Sequence, residues 1–258
     1  MSKTVKTLLH TLNPLNRFSD RAGDYVKYRP SYPSATIDII LEGLNNSPII
    51  AADIGAGTGI SSRLLAERGV NVIAIEPNAA MRAAAESHPL VELRDGTAEF
   101  TQLADNSVDL VTCFQAFHWF NPEPTLSEFH RILKPSGRLA VVWNNRDQKD
   151  ALTAEYSRIV REASNNHPAE SRMESVEPLL KTPNFVNIKE YTFVYRQELN
   201  LDRLIGRAMS VSYLPREGLV YEGVIADLQD LYQQFRNEQG FINMVYRTSL
   251  YIGTAISA

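Results

Sequence analysis

The run Asp53-Ile54-Gly55-Ala56-Gly57-Thr58-Gly59 sets three glycines at alternate positions just after an acid. Glycine permits a tight turn, close approach of a ligand to the backbone, and close packing of a following helix. Backbone N–H groups at the start of such a helix favour negative or polar ligand groups. Glu76 lies at the end of the next apolar run, where a carboxylate can take both hydroxyls of a ribose. The spacing is Gly-x-Gly-x-Gly, whereas a dinucleotide fingerprint runs Gly-x-Gly-x-x-Gly. A plain tight turn with Glu76 as a surface acid is the other reading of these residues. The strand–loop–helix context, with an acid one strand over, favours a ligand. His118 and Trp119 follow a later apolar run; His118 can take a proton or hydrogen-bond a substrate, or be structural. The five histidines, at 10, 88, 118, 130 and 167, show no metal-site spacing, and the single cysteine, Cys113, excludes a disulfide framework and a cysteine-based zinc site.

These residues need a scaffold, and the chain supplies alternating strands and helices from about residue 34 to 164. Residues 49–54 form a short apolar run ending in glycines, as a buried parallel strand should. Helical spacing follows from Ile60 to Arg68 and stops at Gly69. Residues 70–75 give a second strand, and Asn78 can cap a helix over 79–87. Residues 91–94 and 108–113 give the third and fourth strands. Residues 122–133 read as a helix closed by a turn, Lys134-Pro135-Ser136-Gly137, before a fifth strand over 139–143. Such alternation predicts an α/β doubly wound sheet. Further on, 152–163, 201–211 and 220–238 read as helices, and 186–196 and 241–251 as strands. Two late strands joined through a helical insertion can complete the same sheet, so one domain is preferred over two.

With 258 residues, 44% of them hydrophobic and 22% charged, the chain has globular proportions that exclude a disordered or fibrous protein. A formal net charge of −4 leaves no basic excess for a phosphate backbone, so no nucleic-acid partner is expected. No 18-residue apolar run occurs, so no membrane partner is expected and a cytoplasmic location is the expectation.

The glycine loop and Glu76, with the segments at 95–99, 105–111 and 133–139, resemble those of the class I S-adenosylmethionine-dependent methyltransferases. The resemblance covers roughly residues 18 to 145. It implies a seven-stranded sheet of order 3-2-1-4-5-7-6 with strand 7 antiparallel. It also implies a single domain over 1–258, with a cofactor-binding core at 34–145, an N-terminal lid at 1–33 and a substrate-capping insertion at about 165–240. The segments Gln115-Ala116-Phe117-His118-Trp119-Phe120 and 18–33 are similar to those of the small-molecule, trans-aconitate-type subset.

The cofactor implied is S-adenosylmethionine. By resemblance Asp53, Gly55, Ala56 and Gly57 line its methionine end, Glu76 holds the ribose, Met81 lies against the adenine, and Thr97 and Ala98 meet the adenine's polar edge. Many relatives carry Asp where this chain has Thr97, so Thr97, Glu99 or water is left to meet the adenine amino group. Gln115 touches the methionine or sulfur region, Arg29 pairs with the cofactor carboxylate, and Tyr25 belongs to the lid over it. His118 is the candidate catalytic residue, while Tyr28, Trp119, Arg207 and Tyr213 are candidate substrate contacts. The implied partner is a small-molecule acceptor, with O-methylation of a carboxylate as the finer expectation, in a monomer or homodimer. A nicotinamide-dependent oxidoreductase and a non-catalytic S-adenosylmethionine-binding protein are the alternatives.

Overall fold

The computed structural model describes residues 22–45, 47–167 and 176–256. Most of the lid segment at 1–33 therefore lies outside the described residues. Two short helices, α1 (Ala22–Tyr28) and α2 (Ser34–Leu41), precede the sheet. The sheet then alternates as β1 (Ile50–Ile54), α3 (Ile60–Ala66), β2 (Asn71–Ile75), α4 (Ala79–Ala84), β3 (Val91–Arg94), β4 (Val108–Phe114), α5 (Pro122–Ile132) and β5 (Leu133–Arg146). After β5 come α6 (Ala151–Ala163), α7 (Glu177–Lys181), β6 (Phe185–Leu199), α8 (Leu201–Met209), α9 (Gly218–Phe235) and β7 (Ile242–Ala255). The strands form one sheet of order β3-β2-β1-β4-β5-β7-β6. β1 to β5 run parallel, and β7 runs antiparallel to both its neighbours. This is the doubly wound order expected, and it puts the carboxyl ends of β1, β2, β4 and β5 along one edge.

Burial explains the strands. Every residue of β4 is buried, because helices cover both faces of a parallel sheet. One face packs Phe129, Ile132, Trp143 and Phe117 into a cluster with β1 and β4; the other packs Ile37, Ile40 and Leu65 against Leu110 and Val142. Each such side chain contributes about 1.5–3 kcal/mol on leaving water. A third cluster joins α6, α8 and α9 to the first half of β7 through Tyr156, Leu204, Leu228, Met244 and Tyr246. The helical insertion between β6 and β7 is thus α8 and α9, with α6 packed against them. Half-buried Tyr191 and Phe193 pack from β6 onto the cluster of Leu110 and Val142, and Tyr195 packs onto the cluster of α6, α8 and α9.

Two local expectations are corrected. Lys134-Pro135-Ser136-Gly137 is not a turn ahead of the fifth strand but a bulge inside β5. Leu133 still pairs with Val108, and Arg138 with Leu110, so residues 134–137 stand opposite Asp109. Buried Asp109 pins the bulge: its Oδ1 accepts from Lys134 Nζ at 2.8 Å and its Oδ2 from Ile50 N–H at 2.9 Å. The fifth strand, expected to end at 143, runs on through residues 144–146, which pair with Tyr246 to Thr248 of β7.

Candidate functional site

At the end of β1 the chain turns through Gly55, Gly57 and Gly59 with φ of 70°, 59° and 76°, left-handed values that side chains other than glycine resist. Gly55 N–H and Ala56 N–H both donate to Ile75 O, at 2.8 and 3.1 Å, which ties the loop to the end of β2. Glu76 is thereby brought against it. Gly57 N–H donates to Glu76 Oε2, and Asn78 N–H to Oε1, both at 2.9 Å. A carboxylate oxygen has two lone pairs, so each keeps capacity for a hydroxyl donor. Burial raises the Glu76 carboxyl above its ordinary value, against the pull of the Asn78 and Gly57 N–H groups and the Arg82 charge. Asn78 also caps α4, its Oδ1 accepting from Ala80 N–H and Met81 N–H, and so sets buried Met81 at the head of that helix.

Asp53 is fully buried beneath the loop. Its Oδ2 accepts from Ser61 Oγ at 2.7 Å and Ser62 Oγ at 2.6 Å, and its Oδ1 from Thr112 Oγ1 at 2.8 Å. The acid therefore faces α3 and β4 from below, whereas the sequence placed it in the lining. Burial raises its pKa, and the three hydroxyls pull the other way. Buried Thr58 Oγ1 has no hydrogen-bond partner among the described residues.

Beyond β3, Thr97 turns inward on its own loop. Its N–H donates to Phe100 O at 3.1 Å and its Oγ1 accepts from Phe100 N–H at 3.2 Å. Ala98 is buried in the cluster that holds Ile54 and Ile75. Glu99 Oε1 accepts from Asn121 N–H at 2.9 Å, at the start of α5.

At the end of β4, Gln115 takes φ 54°. Its Nε2–H donates to Asn144 O at 2.9 Å, and its buried Oε1 has no hydrogen-bond partner among the described residues. The next residues press on the glycine loop. A Cβ at position 55 would lie 2.7 Å from Ala116 Cβ and 2.9 Å from Phe120 Cζ, so only glycine fits there. Phe117–Trp119 form a 3-10 turn, and the His118 and Trp119 rings lie 5.2 Å apart.

His118 is not placed as a base. Trp143 Nε1–H donates to its Nδ1 at 3.2 Å, which assigns the ring proton to Nε2 and occupies the basic lone pair. Burial lowers its pKa to about 3. An unfolded His has a pKa of about 6.5, so between pH 3 and 6.5 the unfolded chain binds the extra proton and stability rises with pH. The stabilisation is complete above pH 6.5 and is lost as pH falls toward 3. Urea unfolding of the wild type and His118→Gln tests this: from pH 7 to pH 5 the wild type should lose about 1–2 kcal/mol more than the variant. Equal losses would show that His118 titrates normally.

On α8, Arg207 is only 5% exposed; its Nε–H donates to Tyr246 Oη at 3.3 Å and its Nη1–H to Ser210 Oγ at 3.5 Å. Tyr246 Oη–H donates to Gln197 Oε1 at 3.0 Å, and Gln197 Nε2–H to Tyr28 O at 3.1 Å. Arg29 joins this network, its Nη2–H donating to Ser210 O at 3.4 Å. The Tyr28 ring packs on Gly206 so closely that a Cβ there would run into it. Tyr213 stacks on His167 at 5.2 Å. Tyr25 lies on α1, and its side chain is outside the described residues.

Residues 52–141 match a methyltransferase domain model. The chain is 35% identical over 200 residues to an uncharacterized methyltransferase of Mycobacterium tuberculosis, covering 76% of each. It is 31% identical over 242 residues to an uncharacterized methyltransferase-like protein of Schizosaccharomyces pombe, covering 91% of this chain and 93% of the relative. The chain belongs to the class I methyltransferase family. A protein from Anaeromyxobacter dehalogenans described as a type II methyltransferase has the same fold, with a TM-score of 0.71 at 23% identity, covering 90% of this chain and 100% of that one.

Membership in the methyltransferases makes the chain an enzyme and retires the nicotinamide oxidoreductase and the non-catalytic binder. No helix among the described residues is long and apolar enough to cross a membrane. The sequence missed several partners of these candidate residues: Ser61, Ser62 and Thr112 under the loop, and Tyr246, Ser210 and Gln197 around α8. Ser61 and Ser62, eight and nine residues after Asp53, and Ser210, three after Arg207, were the ones near enough in sequence to signal themselves.

Proposed function

We propose that this methyltransferase binds S-adenosylmethionine at the carboxyl ends of β1, β2 and β4 and methylates a carboxylate oxygen of a small-molecule acceptor. The observation that carries the reading is the Glu76 carboxylate, held by Gly57 N–H and Asn78 N–H with acceptor capacity to spare. Two vicinal ribose hydroxyls are donors suited to those oxygens. Gly55, Ala56 and Gly57 line the methionine end, and Asp53 fixes that loop from below. Met81 and Ala98 give apolar walls for the adenine, and Thr97 stands at its polar edge. The orphaned Gln115 Oε1 suits the N–H donors of an ammonium group.

The donor, when bound, supplies a methyl carbon on a positively charged sulfur, with a neutral thioether as leaving group. The chain's task is to align that carbon with the acceptor and to exclude water. Phe120 and Ala116, packed on Gly55, give the pocket a dry wall. A carboxylate acceptor arrives ionised and needs no base, which agrees with His118 holding its proton on Nε2 as a donor. Trp119 and Tyr213 are the aromatic surfaces we assign to the acceptor side. The trans-aconitate-type likeness of residues 115–120 supports the small-acid class, and a single, buried Cys113 accords with a cytoplasmic setting.

Calorimetry with S-adenosylmethionine and with NAD separates donors, and S-adenosylhomocysteine release over small acids, phenols and amines separates acceptors. Binding of S-adenosylmethionine alone, with product from the acids, is the expected outcome. Turnover of phenols or amines but not acids would overturn the acceptor assignment.

A further inference from the structure

β6 is the outermost strand of the sheet, and among the described residues it pairs with β7 alone. Its outer edge therefore presents a row of backbone N–H and C=O groups with no ladder partner there. Natural sheets blunt such edges with short strands, prolines or bulges. β3, at the opposite edge, has only 4 residues. β6 runs for 15 residues without a proline, and its break in register falls at its start, between Val186 and Lys189. Val194 is 51% exposed in the regular part, and Tyr191, Phe193 and Tyr195 are only half-buried.

The charges along β6 say what this edge fits. A two-fold axis normal to the sheet sets a second β6 antiparallel beside the first and keeps each face continuous. Residues opposed across an antiparallel pair lie on the same face. Tyr191, Phe193 and Tyr195 share the face packed on the helices, and by alternation Glu190, Thr192, Val194 and Arg196 share the other. The axis must then pass at a residue, because an axis between two residues would oppose the two faces. Centred on Phe193, it sets Glu190 of each copy against Arg196 of the other, and Tyr191 against Tyr195. Centred on Val194, it would set Glu190 against Glu198; centred on Thr192, it would leave Glu190 against Val194 and Arg196 against Ile188. Among the described residues the Arg196 side chain makes no hydrogen bond or ion pair. Glu190 accepts from Tyr251 Oη–H at 3.0 Å, which leaves its carboxylate lone pairs for a guanidinium.

We propose that two copies of this chain pair edge to edge through β6, antiparallel and centred on Phe193, as a homodimer with one continuous sheet. The aromatic rows of the two copies meet on one face. On the other, Glu190–Arg196 pairs flank Thr192 and Val194 and fix the register.

Sedimentation equilibrium of the full chain, read over a wide range of concentrations, gives the dimer Kd. The wild type should be a dimer at micromolar concentration, and amide exchange over residues 190–196 should slow as the dimer fills. Arg196→Glu and Glu190→Arg each oppose like charges at both symmetric sites and should each raise the dimer Kd at least tenfold. Combining the two reversals restores opposite charges and should regain at least tenfold over either single variant. Should a reversal fail to fold, Arg196→Gln and Glu190→Gln remove the pairs without repulsion and should raise the dimer Kd several-fold. A wild type that stays monomeric throughout, or exchange over 190–196 that does not change with concentration, would overturn the proposal. So would a dimer indifferent to the reversals, which must use another surface, or a double reversal no tighter than the single ones, which would refute the register.

Discussion

Glu76→Gln should weaken S-adenosylmethionine binding about 10–100-fold, which is roughly 1.4–2.8 kcal/mol. The wild-type carboxylate already accepts from Gly57 N–H and Asn78 N–H, one on each oxygen. An amide at 76 keeps one acceptor oxygen and turns an NH2 group toward the other backbone donor. Two donors then face each other, and the glycine loop must shift or lose that bond. The ribose also loses a charged acceptor, and hydrogen bonds to charged groups are worth about 1.5–3 kcal/mol. Stability should respond much less. Burial already holds the Glu76 pKa above its ordinary value, so the ionised acid weighs against folding at neutral pH, and stability falls as pH rises through the raised pKa. Removing the charge relieves that burden and offsets part of the lost bond. Calorimetry and thermal unfolding on one preparation separate the two effects. A variant that binds the donor as tightly as wild type would take Glu76 out of the ribose role.

How far the site could be read from sequence depended on how local its determinants are. β1 to β4 end in glycines, turns or caps of their own, and their apolar runs fix the parallel sheet within a residue or two. Lys134-Pro135-Ser136-Gly137 misled because its partner, Asp109, lies on another strand; the Lys134–Asp109 ion pair keeps these turn-forming residues inside β5. The last strand was found at 241–251, but which face it buries was not, because Ile242, Met244 and Tyr246 pack on α6, α8 and α9 while buried Val245, Ser249 and Tyr251 blur the period. His118 looked like a base because its position is right, yet its role is decided by Trp143, 25 residues away. Arg207 was singled out by type, but no sequence pattern shows that its guanidinium is buried and, among the described residues, meets Tyr246 and Ser210 rather than a carboxylate.

Asp53→Ala should cost about 3–5 kcal/mol of stability, from three buried hydroxyls left without their acceptor less the relief of a buried charge. Asp53 joins three elements: Ser61 and Ser62 at the start of α3, Thr112 in β4, and its own place in β1. Alanine leaves three buried hydroxyls without their acceptor, each worth about 1–3 kcal/mol if unsatisfied. Relief of the buried charge returns part of that sum, as the raised Asp53 pKa indicates. Against a typical total of about 5–15 kcal/mol, the loss lowers the unfolding midpoint by many degrees. Asp53→Asn should cost less, because its oxygen still accepts and a serine hydroxyl can rotate to accept from the amide. Urea unfolding gives the ranking Ala worse than Asn, with Ser61→Ala and Ser62→Ala milder at about 1 kcal/mol each. The position read from sequence makes the opposite prediction. If Asp53 touched the donor, Asp53→Asn would lose affinity and keep its stability. The three short hydroxyl bonds require that affinity fall only as far as the loop is loosened, so donor Kd should track the stability loss across the four variants.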